Sequence, residues 1–331
     1  MNLLELSNQH GLPFEVQQPI GFGGMSTVYR AVYPRTGQAV AVKFISPLLL
    51  ENPRSCERFE REIRVVRVMR HAHVVAYLDD GELSGHRYYV MEIMEGGSLG
   101  GYLKQEQRPG VDQVLKLAIE ICSALEYIHA NKIIHRDLKP DNLFLSQAGS
   151  VKLGDFGIAF YQGVTRVSAV GATVGSCAYM APEQITGSKM MTPSVDLYAL
   201  GCILFELLSG QTPFQAESQF LMLRQHIEQP PPTLTKLVPD CPAELATLIG
   251  LLLKKDSRNR PADAKSVSVQ LKEMLRRHIA KAKKNSILVR SNLVTCQSAT
   301  VSPASGFLED RQETTTCTDL DSKVRQFSFV K

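Results

Sequence analysis

The chain has 331 residues, of which 44% are hydrophobic, and a formal net charge of +4. This length allows one large domain or two smaller ones. The small positive charge does not indicate a nucleic-acid partner, and no apolar run approaches the roughly 18 residues of a membrane span. The seven cysteines are dispersed without a Cys-x-x-Cys pair. They favour reduced thiols and a cytoplasmic location, with neither a disulfide framework nor a zinc site.

A glycine-rich stretch near the N-terminus is the first candidate for phosphate binding. Gly21, Gly23 and Gly24 would let backbone N–H groups approach phosphate oxygens closely. A dinucleotide-binding glycine turn opens a helix. Residues 27–32 are instead rich in valine, tyrosine and threonine, which predicts a strand. The glycines are therefore expected to lie in a loop between two strands.

Lys43 interrupts a second predicted strand, residues 39–45, whose other members are apolar. A lysine at a buried position is costly unless it is paired, whereas a lysine at a sheet edge would extend to solvent. The predicted helix over residues 55–70 offers a partner, because Glu62 lies on its apolar stripe. The pattern therefore predicts an ion pair between Lys43 and Glu62.

Residues 73–83 and 86–94 predict two more strands, and residues 111–130 predict an amphipathic helix. Gly96 and Gly97 follow the last of these strands and indicate a flexible connector.

The helix leads into residues 135–142, His-Arg-Asp-Leu-Lys-Pro-Asp-Asn. The proline predicts a loop, and the apolar flanks at 133–134 and 143–145 predict short buried strands. Asp137 is a candidate proton acceptor, and Lys139 is a candidate for neutralising phosphate charge. Taken alone, the stretch is also compatible with a polar turn between two strands.

Asn142 and Asp155 are candidate metal ligands. Asp155 follows a predicted strand and is flanked by glycine at 154 and, after Phe156, at 157, so its carboxylate could approach a cation held on phosphate oxygens. Amide and carboxylate oxygens suit Mg²⁺, which keeps several waters and uses few protein ligands.

In this order, the motifs resemble those of the eukaryotic-type Ser/Thr protein kinase family, in wording similar to its bacterial members. The resemblance covers residues 14–280. It implies an α+β fold of two lobes, a small antiparallel sheet of about five strands with one helix over 14–94 and a larger, mainly helical lobe over 95–280. It also implies transfer of the ATP γ-phosphoryl group, with Mg²⁺, to Ser or Thr hydroxyls of protein substrates.

The resemblance assigns roles to individual residues. Asp137 would orient the acceptor hydroxyl and take its proton, Lys139 would stabilise the transferred group, and Lys43 would hold the phosphates. Asn142 and Asp155 would hold the metal. The implied nucleotide-binding set is Ile20, Gly21, Gly23, Gly24, Val28, Ala41, Lys43, Glu62, Met91, Glu92, Met94 and Phe144.

Within that set, Met91 would lie behind the adenine, and the backbones of Glu92 and Met94 would bond to its edge. The third glycine of the family's phosphate loop is replaced here by Ser26.

Residues 158–180 show no period and predict a loop that ends in Ala-Pro-Glu at 181–183, similar to the end of the kinase activation segment. By resemblance, Arg136 would receive a phosphorylated residue of this loop. The candidates are Thr165, Ser168 and Thr173, of which Thr173 is favoured. Autophosphorylation between two copies would require self-association.

Residues 194–209 are apolar nearly all round and predict a buried helix capped by Gly210. Asp196 near its start would either hold backbone N–H groups of the loop at 135–142 or act as a simple helix-start carboxylate. By resemblance, Glu183 and Arg260 would pair. Further helices are predicted at 218–228, 242–254 and 263–280, and a disordered Ser/Thr-rich tail at 281–331.

Two other functions are compatible with these motifs. A scaffold that binds ATP without turnover is disfavoured by the intact Lys43, Asp137, Asn142 and Asp155. A small-molecule kinase of related fold is disfavoured by the Ala-Pro-Glu segment, which forms a peptide-docking surface in protein kinases.

Overall fold

The computed structural model describes residues 12–22, 26–45, 52–83, 85–105, 108–156, 177–188 and 191–297. Gly23 and Gly24 of the predicted phosphate loop lie outside the described residues, as do the candidate phosphorylation sites Thr165, Ser168 and Thr173. The chain divides into two units, Met1–Met274 and Leu275–Lys331. The first unit contains every site residue discussed below.

Five antiparallel strands form the first half of this unit, in the order β1-β2-β3-β5-β4, which confirms the predicted five-stranded sheet. One helix, α1, follows β3. The elements are β1 (Glu15–Phe22), β2 (Ser26–Tyr33), β3 (Gln38–Ile45), α1 (Pro53–Val68), β4 (Tyr77–Leu83) and β5 (His86–Glu92).

The register of the sheet places four of the predicted nucleotide-binding residues and Tyr89 on one face. Val28 on β2 pairs with Lys43 on β3, which pairs with Tyr89 on β5. Two residues along, Ala41 pairs with Met91. Because alternate residues of a strand face the same side, all five lie on one face. The opposite face carries the apolar cluster of Phe14, Val16, Tyr29, Ala31, Val40, Val42, Phe44, Leu83, Tyr88 and Val90.

The second half of the unit is mainly helical, and a 3₁₀ turn at Pro140–Asn142 and another at Ser257–Asn259 interrupt it. The remaining elements along the described chain are α2 (Leu99–Leu103), α3 (Val111–Ala130), β6 (Leu143–Leu145), β7 (Val151–Leu153), α4 (Pro182–Ile185), α5 (Ser194–Ser209), α6 (Gln219–Glu228), α7 (Leu234–Leu237), α8 (Ala243–Leu252) and α9 (Ala264–Gln297).

Helix α5 is the core of this half, as its apolar sequence predicted. All of its residues except Ser194 and Glu206 are buried. It ends at Gly210, whose φ of 79° is left-handed, and the predicted glycine cap is confirmed because only glycine adopts this conformation without a steric cost.

Two predictions around the loop at 135–142 were wrong. Residues 133–134 are not a strand. Lys132 has a φ of 62°, and the Ile133 N–H donates to the Ile128 carbonyl at 2.9 Å, which is the geometry of a chain leaving a helix. Pro140 does not exclude helical structure either, because it begins the 3₁₀ turn, where a missing N–H is tolerated.

Helix α9 also differs from the prediction, since it continues to Gln297 rather than ending at 280. Residues 281–297 contain no glycine or proline, the two residues that most oppose helix. The predicted disordered tail is therefore wrong over 281–297, and 298–331 lie outside the described residues. Among the described residues, no helix combines the length and the apolar character needed to span a membrane.

Candidate active site

Lys43 lies on β3, and its buried side chain contacts two carboxylates. Its Nζ lies 2.8 Å from Glu62 Oε1 and 2.6 Å from Asp155 Oδ1, so the predicted ion pair with Glu62 is confirmed. Burial alone would lower the pKa of the Lys43 ammonium, but the charges of Asp155 and Glu62 outweigh it and hold that pKa well above its ordinary value. Lys43 is therefore a permanent cation in a fixed position.

The loop at 135–142 brings an acid, an amine and an amide side by side. Lys139 Nζ donates to Asp137 Oδ2 at 3.0 Å. Asn142 Nδ2 donates to the Asp137 carbonyl at 2.8 Å and lies 3.3 Å from Asp137 Oδ2. Because these donors fix the Asp137 carboxylate, it can accept a proton from a group presented in one direction. They also leave the amide oxygen of Asn142 available to a cation.

Asp155 follows β7 in a left-handed conformation, with a φ of 49°. About half of its side chain is exposed, at 48%, and the neighbouring Lys43 holds the pKa of its carboxyl below the ordinary value. The Gly154 N–H donates to the Asn142 carbonyl at 3.0 Å, which ties the end of β7 to the loop. Phe156 is buried against the His135 ring, with centroids 5.3 Å apart.

The oxygens of Asn142 and Asp155 fit a hard cation such as Mg²⁺, since one is a carboxylate held ionised and the other an amide. Among the described residues, no cluster of three or more His, Cys, Asp and Glu side chains could hold a metal on its own. A cation at this site would therefore depend on further oxygens from a substrate and from water.

Contacts in this site connect residues that are far apart in the chain. Lys43 contacts Asp155, the residue before Asp155 bonds to Asn142, and Asn142 bonds to Asp137. The predicted catalytic and metal-binding residues thus form one continuous set between the sheet and the loop.

Some of the predicted nucleotide-binding residues can be placed relative to Lys43 and the end of β7. Val28, Ala41 and Met91 share the sheet face of Lys43, and Phe144 lies on β6 against Gly154. Ile20 and Gly21 lie on β1, where Ile20 is half exposed.

Glu92, at the end of β5, makes contacts that the sequence did not predict. Its N–H donates to the Ala76 carbonyl at 2.9 Å. Its carboxylate accepts from Lys152 Nζ at 2.7 and 2.8 Å and from the Ala76 N–H at 2.7 Å. This ion pair joins β5 to β7 across the connector.

The predicted connector is fixed by backbone hydrogen bonds. The Gly96 N–H donates to the Leu145 carbonyl at 3.0 Å, and the Leu145 N–H donates to the Gly97 carbonyl at 2.8 Å. A Cβ at position 96 would lie 2.6 Å from the Leu145 oxygen, so glycine is required for the close approach.

Comparison with known proteins identifies the family: the protein kinase domain matches residues 14–275. The chain belongs to the protein kinase family. This kinase domain is 34% identical over 255 residues to the probable serine/threonine-protein kinase PknB of Lactococcus lactis, which covers 77% of the chain and 40% of the relative. It is 34% identical over 252 residues to the serine/threonine-protein kinase PknA of Mycobacterium tuberculosis, which covers 75% of the chain and 58% of the relative.

A third relative, the serine/threonine-protein kinase PrkC of Bacillus subtilis, is 32% identical over 259 residues, or 78% of the chain and 40% of the relative. The chain thus spans 40 to 58% of the length of these three relatives.

Asp196 on α5 holds the loop at 135–142. Its two carboxylate oxygens accept from the N–H groups of His135 and Arg136, each at 2.9 Å, and His129 Nε2 lies 2.7 Å from Oδ2. The expectation that Asp196 holds loop N–H groups is confirmed. Arg136 adopts a left-handed φ of 64°, and these bonds help to keep it there.

Gln184 holds the same loop from the other side and was not predicted. Its Nε2 donates to the Arg136 carbonyl at 2.9 Å, while its Oε1 accepts from the Ala181 N–H at 3.1 Å. One side chain therefore joins the Ala-Pro-Glu segment to the residue that precedes Asp137.

Glu183 and Arg260 form the predicted ion pair. Arg260 Nη1 and Nη2 donate to the two Glu183 oxygens at 2.6 and 2.8 Å. The Arg260 side chain is fully buried and also donates to the carbonyls of Ser194, Lys254 and Lys255. The Ala-Pro-Glu segment is thereby fixed to the start of α5.

Proposed function

We propose that this chain is a protein serine/threonine kinase that transfers the γ-phosphoryl group of ATP to Ser or Thr hydroxyls of protein substrates. The observation that carries the proposal is the continuous contact set from Lys43 through Asp155 and Asn142 to Asp137. The relatives named as Ser/Thr kinases support it.

In this mechanism the protein mainly positions groups and neutralises charge. Asp137 accepts the proton of the hydroxyl, in an orientation fixed by Lys139 and Asn142. Lys139 Nζ, 3.0 Å from the Asp137 carboxylate, stabilises negative charge on the group in transfer. Lys43 holds the phosphates.

Asn142 and Asp155 would hold Mg²⁺, which supplies neutralisation of the phosphate oxygens when it is bound. Adenine would lie against Val28, Ala41 and Phe144, with the backbones of Glu92 and Met94 at its edge. The remaining proposed nucleotide contacts are Ile20, Gly21, Gly23, Gly24, Glu62 and Met91.

Autophosphorylation between two copies at Thr165, Ser168 or Thr173 is part of the proposal, and so is a cytoplasmic location. The Ala-Pro-Glu segment supports a protein substrate rather than a small molecule, because the Glu183–Arg260 pair and Gln184 fix it beside Asp137.

Phosphosite mapping tests this function directly. The pure chain would be incubated with MgATP and a Ser/Thr-containing acceptor protein, and phosphopeptides would be mapped by mass spectrometry. We expect phosphate on Ser or Thr of the chain and of the acceptor. A folded preparation that binds MgATP yet transfers no phosphate would contradict the proposal.

Replacement of Gln184 by glutamate is expected to lower kcat by about 5- to 100-fold. The amide nitrogen that donates to the Arg136 carbonyl becomes a carboxylate oxygen, which repels the carbonyl oxygen. The bond from the Ala181 N–H is retained, so the short helix α4 should persist. KM for ATP should stay unchanged, since the Lys43 cluster is untouched. Steady-state kinetics measure both constants.

Gln215→Glu is the matched control, because Gln215 is exposed and bonds only to another glutamine among the contacts described for it. It should keep the kcat of the parent protein. Equal kcat values for the two variants would mean that Gln184 does not position the loop.

A further inference from the structure

Tyr89 makes a buried contact that the proposed mechanism does not use. Its hydroxyl donates to Glu62 Oε1 at 2.9 Å, the same oxygen that Lys43 Nζ approaches at 2.8 Å. Tyr89 is 3% exposed and is the register partner of Lys43 across β3 and β5. Its ring lies 5.8 Å from the Phe59 ring of α1.

Glu62 needs more than one donor at this position. Burial raises the pKa of its carboxyl, and the Lys43 charge only partly opposes this effect. Lys43 divides its ammonium between Glu62 and Asp155, and the proposed mechanism directs it to phosphates as well. The phenol of Tyr89 is neutral and donates to Glu62 irrespective of how the ammonium is shared.

The two partners belong to elements of different kinds. Tyr89 lies on β5, which is bonded on one side to β3 and on the other to β4, so its hydroxyl is a fixed point of the sheet. Glu62 lies on the single helix α1, outside the sheet. An outward movement of α1 would break the bond and leave the hydroxyl of a residue that is 3% exposed without its acceptor, which is costly.

We propose that Tyr89 is a positioning residue that holds α1 in the inward position where Glu62 pairs with Lys43. This inference rests on the proposed function, because it assigns to α1 the control of how Lys43 meets ATP. The bond therefore favours the arrangement in which Glu62 pairs with Lys43, and it does so through contacts within this chain rather than through a partner that pushes α1 inward.

Tyr89→Phe tests the proposal, because it removes only the hydroxyl and keeps the ring. Amide hydrogen exchange over residues 53–68 and the Kd of a non-hydrolysable MgATP analogue would be measured on the purified chain. We expect exchange to accelerate by about tenfold or more, as the loss of a hydrogen bond to a charged group implies. We also expect a weaker Kd and a lower kcat/KM for ATP.

Tyr88→Phe is the matched control. Tyr88 is the neighbouring residue on β5 and faces the opposite side, where it packs against Phe14 and Phe44. It should leave exchange in α1 and the Kd unchanged. Equal effects of the two variants, or no effect of Tyr89→Phe, would overturn the proposal.

A double-variant comparison shows whether the phenol acts through Glu62. In a Glu62→Leu background, which has no side-chain acceptor for the phenol, Tyr89→Phe should change exchange by much less than it does in the parent protein. An undiminished effect would overturn the proposal. Exchange and analogue binding need no phosphoryl transfer, so they decide the role of Tyr89 even if the chain proves to lack kinase activity.

Discussion

Asp137→Asn is expected to lower phosphoryl transfer by about 10²- to 10⁴-fold, the range for loss of a general base. The amide has the size of the carboxylate but cannot take a proton from the acceptor hydroxyl. Binding of MgATP should persist, since the Lys43 contacts with Glu62 and Asp155 do not involve Asp137. Phosphate incorporation and analogue binding, measured on one preparation, separate the two effects.

Asp240→Asn is the charge-matched control, because Asp240 is exposed in the turn before α8. Full activity in Asp137→Asn would mean that another enzyme in the preparation performs the reaction. Loss of nucleotide binding in that variant would mean that Asp137 supports the fold of the cleft rather than the chemistry.

The site residues that the sequence predicted are those whose burial or position carries an energetic cost unless a partner compensates it. A lysine in an apolar strand requires a counter-charge, and this pattern together with the family resemblance predicts the pair of Lys43 with Glu62. Asp155 between glycines and Asn142 after a proline carry similarly specific local signals. In each case the residue type is expensive or unusual at its position, and only a few partners can compensate it.

Tyr89, Gln184 and Lys152 gave no such signal. A tyrosine is ordinary in a strand, and only the register of β3 with β5 places its hydroxyl beside Glu62. Gln184 depends on the left-handed turn at Arg136, a feature that the neighbouring residues do not encode. These contacts are tertiary, so local periodicity does not contain them.

The predicted ends of secondary-structure elements were wrong for the same reason. Ile133 and Ile134 have strand-forming side chains, but the chain there closes α3 and meets no neighbouring strand among the described residues. The change to basic and hydroxyl residues after 280 predicts the end of helix α9 there, but these residues are compatible with helix in the absence of glycine and proline, and α9 continues to Gln297.

Arg260→Met is expected to lower the free energy of unfolding by about 3–5 kcal/mol, the cost of removing one partner of a buried ion pair. The variant leaves the Glu183 carboxylate, whose side chain is 16% exposed, without its counter-charge. It also removes the donor to three backbone carbonyls and the cation that lies 4.9 Å from the centre of the Tyr198 ring. Urea unfolding at neutral pH measures the change.

Arg258→Met provides the matched control two residues away. Arg258 pairs with Asp256 at 2.7 Å, but its side chain is 87% exposed, so solvent screens the attraction and the midpoint of unfolding should not move measurably. Similar midpoints for the two variants would contradict the view that the Glu183 pair holds this region together.

A double variant, Glu183→Gln with Arg260→Met, separates the charge from the packing. If the uncompensated carboxylate dominates the loss, removal of its charge should restore part of the stability. If the lost carbonyl bonds dominate, the double variant should be no more stable than Arg260→Met. Gln184 directly follows Glu183 and bonds to the Arg136 carbonyl, so loss of the ion pair is expected to disturb the loop that carries Asp137. The kcat of the double variant, compared with that of Arg260→Met, measures how much of this disturbance comes from the uncompensated carboxylate.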